Sequence, residues 1–180
     1  VRANAFDVFD FFKVEPQNAN AVRVLGLHET KRTYRYINRE FLEECDWVNK
    51  YKVFVPESNG ASGMLGDEAA RIISHPALGL PNDGVTQTFI VVGSFETQEE
   101  SNNLMKYILS KFCRLLLGSL KATQRNNSST WLNVPLQDFS DNSDIDWSKS
   151  IPEIDKQLYA KYDLNEDEIT FIESMIKSME

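Results

Sequence analysis

The sequence predicts an α+β fold, a mixed β-sheet packed on one long central helix with a helical C-terminal tail. Three observations lead there: short alternating or β-branched runs fill the first half, a capped helix with an apolar stripe follows, and two further capped helices end the chain. With 180 residues, 42% of them hydrophobic and 26% charged, the chain has the makeup of one globular domain with enough interior to fold unaided.

Residues 21–27 and 33–37 alternate apolar with small or polar side chains and read as strands. If Tyr34 and Tyr36 share one face of the second, Arg35 points to the other. Residues 51–55 form a third strand, stopped at Pro56, which donates no ladder hydrogen bond. A glycine-rich loop follows at residues 57–66. Its spacing fits neither the dinucleotide fingerprint nor the phosphate loop of NTPases, because no Gly-Lys-Ser/Thr comes after it. Its small residues let the backbone come close to a ligand. Residues 86–92, β-branched and increasingly apolar, are the clearest strand, with a second half expected to be central in a sheet.

Thr97-x-x-Glu100 is a capping box, and it opens a helix running to about Leu120. Leu104, Ile108, Phe112, Leu115 and Leu116 make its apolar stripe, while Lys106, Ser110 and Arg114 make a polar one. Residues 121–131 form a loop rich in amide and hydroxyl donors, ending at Trp131, which is expected to anchor the core. Ser150-x-x-Glu153 and Asn165-x-x-Glu168 cap the tail helices, joined to the rest by a polar loop at residues 138–146. The expected organisation is a body, residues 1–137, with an acidic helical extension, residues 138–180, packed on it as one structural unit.

The net charge is −8 and the pI about 4.9, which taken whole argues against a phosphate ligand. The charge is segregated, however. Residues 138–180 hold 12 acids and 4 bases, so that residues 1–137 are neutral. Between Glu100 and Asp138 there is no acid, while Lys106, Lys111, Arg114, Lys121 and Arg125 give +5. A second basic cluster, Lys31, Arg32, Arg35 and Arg39, lies between Glu29 and Glu40. Each cluster reads either as a solvated face or as a footprint for phosphate.

Two separated cysteines, Cys45 and Cys113, fit a reduced, cytoplasmic protein, and no metal motif appears. His28 and His75 are isolated, which leaves little for histidine-dependent catalysis. No apolar run reaches the length of a membrane span, and the start is not a signal peptide. Since the first residue is Val1, the chain is expected to be a piece of a longer protein or a processed one. Glu29-Thr30-Lys31 with Asp10 upstream has the look of the acid-x-Lys strand of a metal-dependent nuclease, a triplet common by chance.

Several runs carry a likeness across nearly the whole chain: Asn4-Ala5-Phe6 and Phe11-Phe12-Lys13, then Tyr51-Lys52-Val53-Phe54-Val55 followed by Asn59-Gly60-Ala61-Ser62-Gly63, then Thr86-Gln87-Thr88-Phe89 and Gly93-Ser94-Phe95. Lys111-Phe112, Thr123-Gln124, Trp131, Val134-Pro135-Leu136-Gln137-Asp138-Phe139 and the ending Tyr159-x-Lys161-Tyr162-x-Leu164 with Glu168-Ile169-x-Phe171-Ile172-Glu173 complete it. In these runs the chain resembles the C-terminal target-recognition region of bacterial adenine-specific DNA methyltransferases of restriction-modification systems, including fused methylase-endonuclease chains. The resemblance implies a specificity domain with no catalytic residues of its own. It further implies double-stranded DNA and an upstream methyltransferase domain as partners, no membrane, and S-adenosylmethionine as cofactor of that missing domain only.

Under that reading Lys31, Arg32, Arg35, Arg39, Lys106, Arg114 and Lys121 are expected on phosphates, and Asn59, Gly60 and Ser62 beside the DNA backbone. Thr123, Gln124, Arg125, Asn126 and Asn127 are expected at base edges, since Asn or Gln pairs twice with adenine and Arg with guanine. The acidic tail, repelled by DNA, would face the core or the catalytic domain. The rival class is a protein-interaction module without DNA contact, favoured by the acidic balance and the amphipathic tail helices.

Overall fold

The structure, a computed structural model, describes residues 2–59 and 63–179. It has the predicted α+β class. Its strands form two three-stranded sheets instead of one. In the first, β1 (Ala21–His28) pairs antiparallel with β2 (Lys31–Asn38) and parallel with β5 (Asp83–Val85). In the second, β3 (Tyr51–Pro56) lies antiparallel between β4 (Ala77–Gly79) and β6 (Phe89–Phe95).

The expected strand at residues 86–92 is displaced to Phe89–Phe95. Thr86, Gln87 and Thr88 instead make the turn that carries the chain from one sheet to the other, closed by the Phe89 amide donating to Thr86 O and by the Thr86 and Thr88 hydroxyls 3.1 Å apart. Leu25, Phe54 and Phe89 fill the seam between the sheets. At this seam Lys52 is fully buried, and its ammonium donates to the carbonyls of Val48, Lys50 and Leu80 at 2.8–2.9 Å. Burial pulls its pKa down to about 8.

On the outer face of the first sheet, the short helix α1 (Ala5–Val8) and Phe12 pack on Val22, Val24 and Ile37. Gly26 of β1 is crossed closely here: a Cβ at that position would lie 2.7 Å from both the Phe6 ring and the Thr86 methyl. Gly26→Ala is therefore expected to lower stability by about 1–3 kcal/mol, measured by urea unfolding.

The expected single helix is two, α2 (Gln98–Leu109) and α3 (Lys111–Ser119). Thr97 caps the first, accepting from the Glu100 amide. Between them Ser110 turns to extended backbone (φ −62°, ψ 149°) and caps the second by accepting from the Cys113 amide. Asp155 of α4 (Ile151–Lys161) holds the break open, accepting from the Lys111 and Phe112 amides at 3.0 Å.

The tail helices α4 and α5 (Glu166–Met175) form where their caps predict, with Glu153 and Glu168 reaching back to the Ser150 and Asn165 amides. Ile154, Leu158, Ile172 and Ile176 lie in the same hydrophobic core as Val53, Val55, Ile108 and Leu117. Residues 138–179 thus complete the main core. Among the described residues no helix is long and apolar enough to cross a membrane.

Candidate nucleic-acid interface

Glu29 and Thr30 make the β1–β2 turn, both with positive φ, 47° and 68°. A two-residue hairpin turn requires that backbone, which Asn-Gly usually supplies. Held instead by residues with side chains, it stores roughly 1–2 kcal/mol at each position. The turn presents Lys31 and Arg32 at one end of the molecule. Along β2 the alternation works as expected: Tyr34 faces the seam, while Arg35 shares the opposite face with Ile37. Lys31 and Arg35 make no side-chain hydrogen bond or ion pair with any described residue, so their charge is free for a ligand.

The other two cations of this cluster have internal work. Arg32 donates to His75 O at 2.6 Å with its guanidinium over the Phe89 ring, and burial lowers its pKa, yet the residue stays exposed. Arg39 follows β2 at its far end, roughly 26 Å from Lys31 at 3.3 Å per residue. It donates to the side-chain oxygens of Asn49 and Asn82, both at 3.1 Å. The four cations therefore do not form one patch.

Four expected contacts are corrected by burial. Arg114 is fully buried and donates to the carbonyls of Leu109, Ser110, Arg71 and Lys177. Lys121 is 7% exposed, donates to Ile72 O and Asn126 Oδ1 at 2.8 Å, and is pulled by burial to a pKa of about 8. Asn126 is fully buried, with its amide on Pro56 O. Asn59 is 2% exposed, donating to Ile72 O and accepting from the Ser74 amide. These side chains fasten loops and reach no phosphate or base. Lys106, half-buried, is likewise occupied by the carbonyls of Trp147 and Lys149.

Thr123, Gln124, Arg125 and Asn127 remain exposed. Beneath them, the buried Lys121–Asn126 pair and a backbone bridge between Ser58 and Arg125 fix the loop. A run of short contacts joins this loop to the hairpin end: Gln124 O accepts from the Asn59 amide, Asn59 Oδ1 from the Ser74 amide, and the neighbouring His75 O from Arg32. The structure thus links Arg32 to the loop of Gln124, Arg125 and Asn127, while Lys31 and Arg35 take the opposite face of β2. Gly60 and Ser62 lie outside the described residues.

Glu57 belongs to this end and was missed by reasoning from basic residues. Its carboxylate sits 3.7 Å from Arg125, and its backbone is pinned to Thr88 and Asn126. An open cavity of about 560 Å³ lies between it, β6 and Trp131. Trp131 packs on the main core as expected, but its indole N–H is buried without an acceptor among the described residues. The larger groove, about 800 Å³ along α2, is lined by Glu99, Asp141, Asp144 and Asp146, a surface that repels DNA.

Glu29 lies in the hairpin turn and not within a strand, unlike the acid of an acid-x-Lys nuclease motif. Among the described residues no three His, Cys, Asp or Glu side chains gather as a metal site. Burial pushes the Cys113 thiol up, which leaves it inert. Compared with protein families, with curated proteins and with solved structures, the chain has no match in any of the three.

Proposed function

We propose that the chain is a DNA sequence-recognition domain of an adenine-specific methyltransferase of a restriction-modification system, positioning duplex DNA for an upstream catalytic domain that uses S-adenosylmethionine. One observation supports the DNA contact: Arg125, exposed and only 3.7 Å-paired with Glu57, lies on the loop where Gln124 and Asn127 offer exposed amides, while Lys31 and Arg35 stand on the outer face of β2 without a side-chain partner among the described residues. The methyltransferase assignment draws on the sequence resemblance. Phosphate contacts, that of Arg125 among them, would set the register, and the two amides would read base edges.

Fluorescence anisotropy of the purified chain with random-sequence duplex tests this. Affinity should fall steeply with salt, and Lys31→Ala, Arg35→Ala and Arg125→Ala should each reduce the salt slope by about 1. Selection from a random pool should enrich a sequence, and Gln124→Ala should relax it at one position by about 1–3 kcal/mol. Salt-independent binding, unchanged in the triple variant, would falsify the reading. The competing protein-interaction reading rests on Leu132 and Leu136, 80% and 91% exposed on one loop. It requires a partner that Leu132→Asp and Leu136→Asp release without any change in DNA affinity.

A further inference from the structure

We infer that the cavity between β6 and Trp131 is a pocket for a single unstacked nucleobase bearing an exocyclic amine. The inference deepens the DNA-recognition reading and rests on it. A base pocket needs a stacking surface, an apolar wall, hydrogen-bonding groups for the base edge, and a cation for the attached phosphate. All four are present. Trp131 provides the aromatic face, and no hydrogen bond fixes the tilt of its indole. Ile90 and Val92, two apart on β6 and so on one face, provide the wall.

The polar rim settles the choice of base. Glu57 lines the cavity with a carboxylate that only accepts, and its backbone is held on both sides, by its amide donating to Thr88 O and its carbonyl accepting from Asn126 N. Asn127 Oδ1 already accepts from the Ser129 hydroxyl, which leaves its NH₂ to donate. An acceptor beside a donor matches an exocyclic amine next to a ring nitrogen, as on cytosine, on adenine or on the N2/N3 edge of guanine. Thymine offers no amine. Arg125 does not line the cavity, but its side chain, 72% exposed, lies 3.7 Å from the lining residue Glu57 and is the cation available to the phosphate of that nucleotide. The volume, about 560 Å³, is in the range of small-ligand sites and admits one base with its sugar.

The test compares single-stranded oligo(dC) with oligo(dT) of equal length on the purified chain, read by anisotropy and by tryptophan fluorescence. Oligo(dC) should bind about tenfold tighter, a difference within the range of one good base contact, and should quench the emission. Glu57→Ala should abolish the preference. Trp131→Phe should remove the quenching while Trp47 and Trp147 still report a folded core; if that variant fails to fold, Glu57→Ala and Asn127→Ala, both at solvent-accessible rims, decide alone. Equal binding of the two oligomers, or a preference that survives Glu57→Ala, overturns the pocket. Duplex binding with its salt slope intact alongside equal oligomer binding sinks the pocket and leaves the recognition reading standing. Oligo(dC) preference without duplex binding does the reverse.

Discussion

Arg114→Ala is expected to lower the unfolding free energy by about 3–5 kcal/mol, the range for dismantling a buried charged network. Arg114 is fully buried, and its guanidinium ties together three parts of the chain: the carbonyls at the α2–α3 break (Leu109 and Ser110), the loop at Arg71, and the C-terminal segment at Lys177. Burial pulls its pKa down to about 10, which leaves it charged at neutral pH. Truncation leaves carbonyls without donors and a cavity where the side chain stood, and each loss is felt. Since a domain of this kind has about 5–15 kcal/mol in total, the variant should sit near the edge of folding. Urea unfolding measures it. A variant with unchanged midpoint and weakened DNA binding would put Arg114 back on the phosphate surface; the structure requires the opposite pattern.

The same residue explains how far a sequence can be read. β1 and β2 follow a period of two over five residues or more, β3 is a short β-branched and aromatic run bounded by Pro56, and all three form. β4 and β5 are three residues long and each contains a glycine, so no period exists to detect. The α2–α3 break lies in an uninterrupted apolar stripe without Pro or Gly. Ser110 caps the second helix locally, but the Asp155 carboxylate that takes up the freed Lys111 amide lies 44 positions away in sequence. Charge counting found the acid-free stretch that holds Arg125, but could not separate it from Arg114 and Lys121. What separates them is where carbonyl-bearing loop and helix ends converge, a tertiary property. Alternation did place Arg35 correctly, because one strand decides which face a side chain takes. Glu57 escaped because a search for phosphate contacts weighs cations, whereas a base edge also needs acceptors.

Lowering the pH from 7 to 4 is expected to stabilise the wild-type chain relative to Asp155→Asn by about 2–3 kcal/mol. Asp155 is 3% exposed, and burial raises its pKa from 3.8 to about 6, against the pull of the Phe112 and Lys111 amides that it accepts from. Glu173 of α5 adds to the rise and Arg114 of α3 opposes it. Lys111 and Tyr159 both hydrogen-bond to Glu173 and so surround the same site. With the folded pKa above the unfolded one, the folded state binds the extra proton between about 6 and 3.8. The contribution is therefore fully present below 3.8 and is lost as pH rises through 6. Other carboxylates titrate in the same interval, so the quantity to follow is the difference between wild type and variant, from urea unfolding at each pH. A difference that stays flat from pH 7 to 4 would mean that Asp155 is as well solvated in the fold as in the unfolded chain. A difference that grows as the pH falls makes the α4 carboxylate at the helix break a group whose protonation stabilises the folded chain by relieving the burial of its charge.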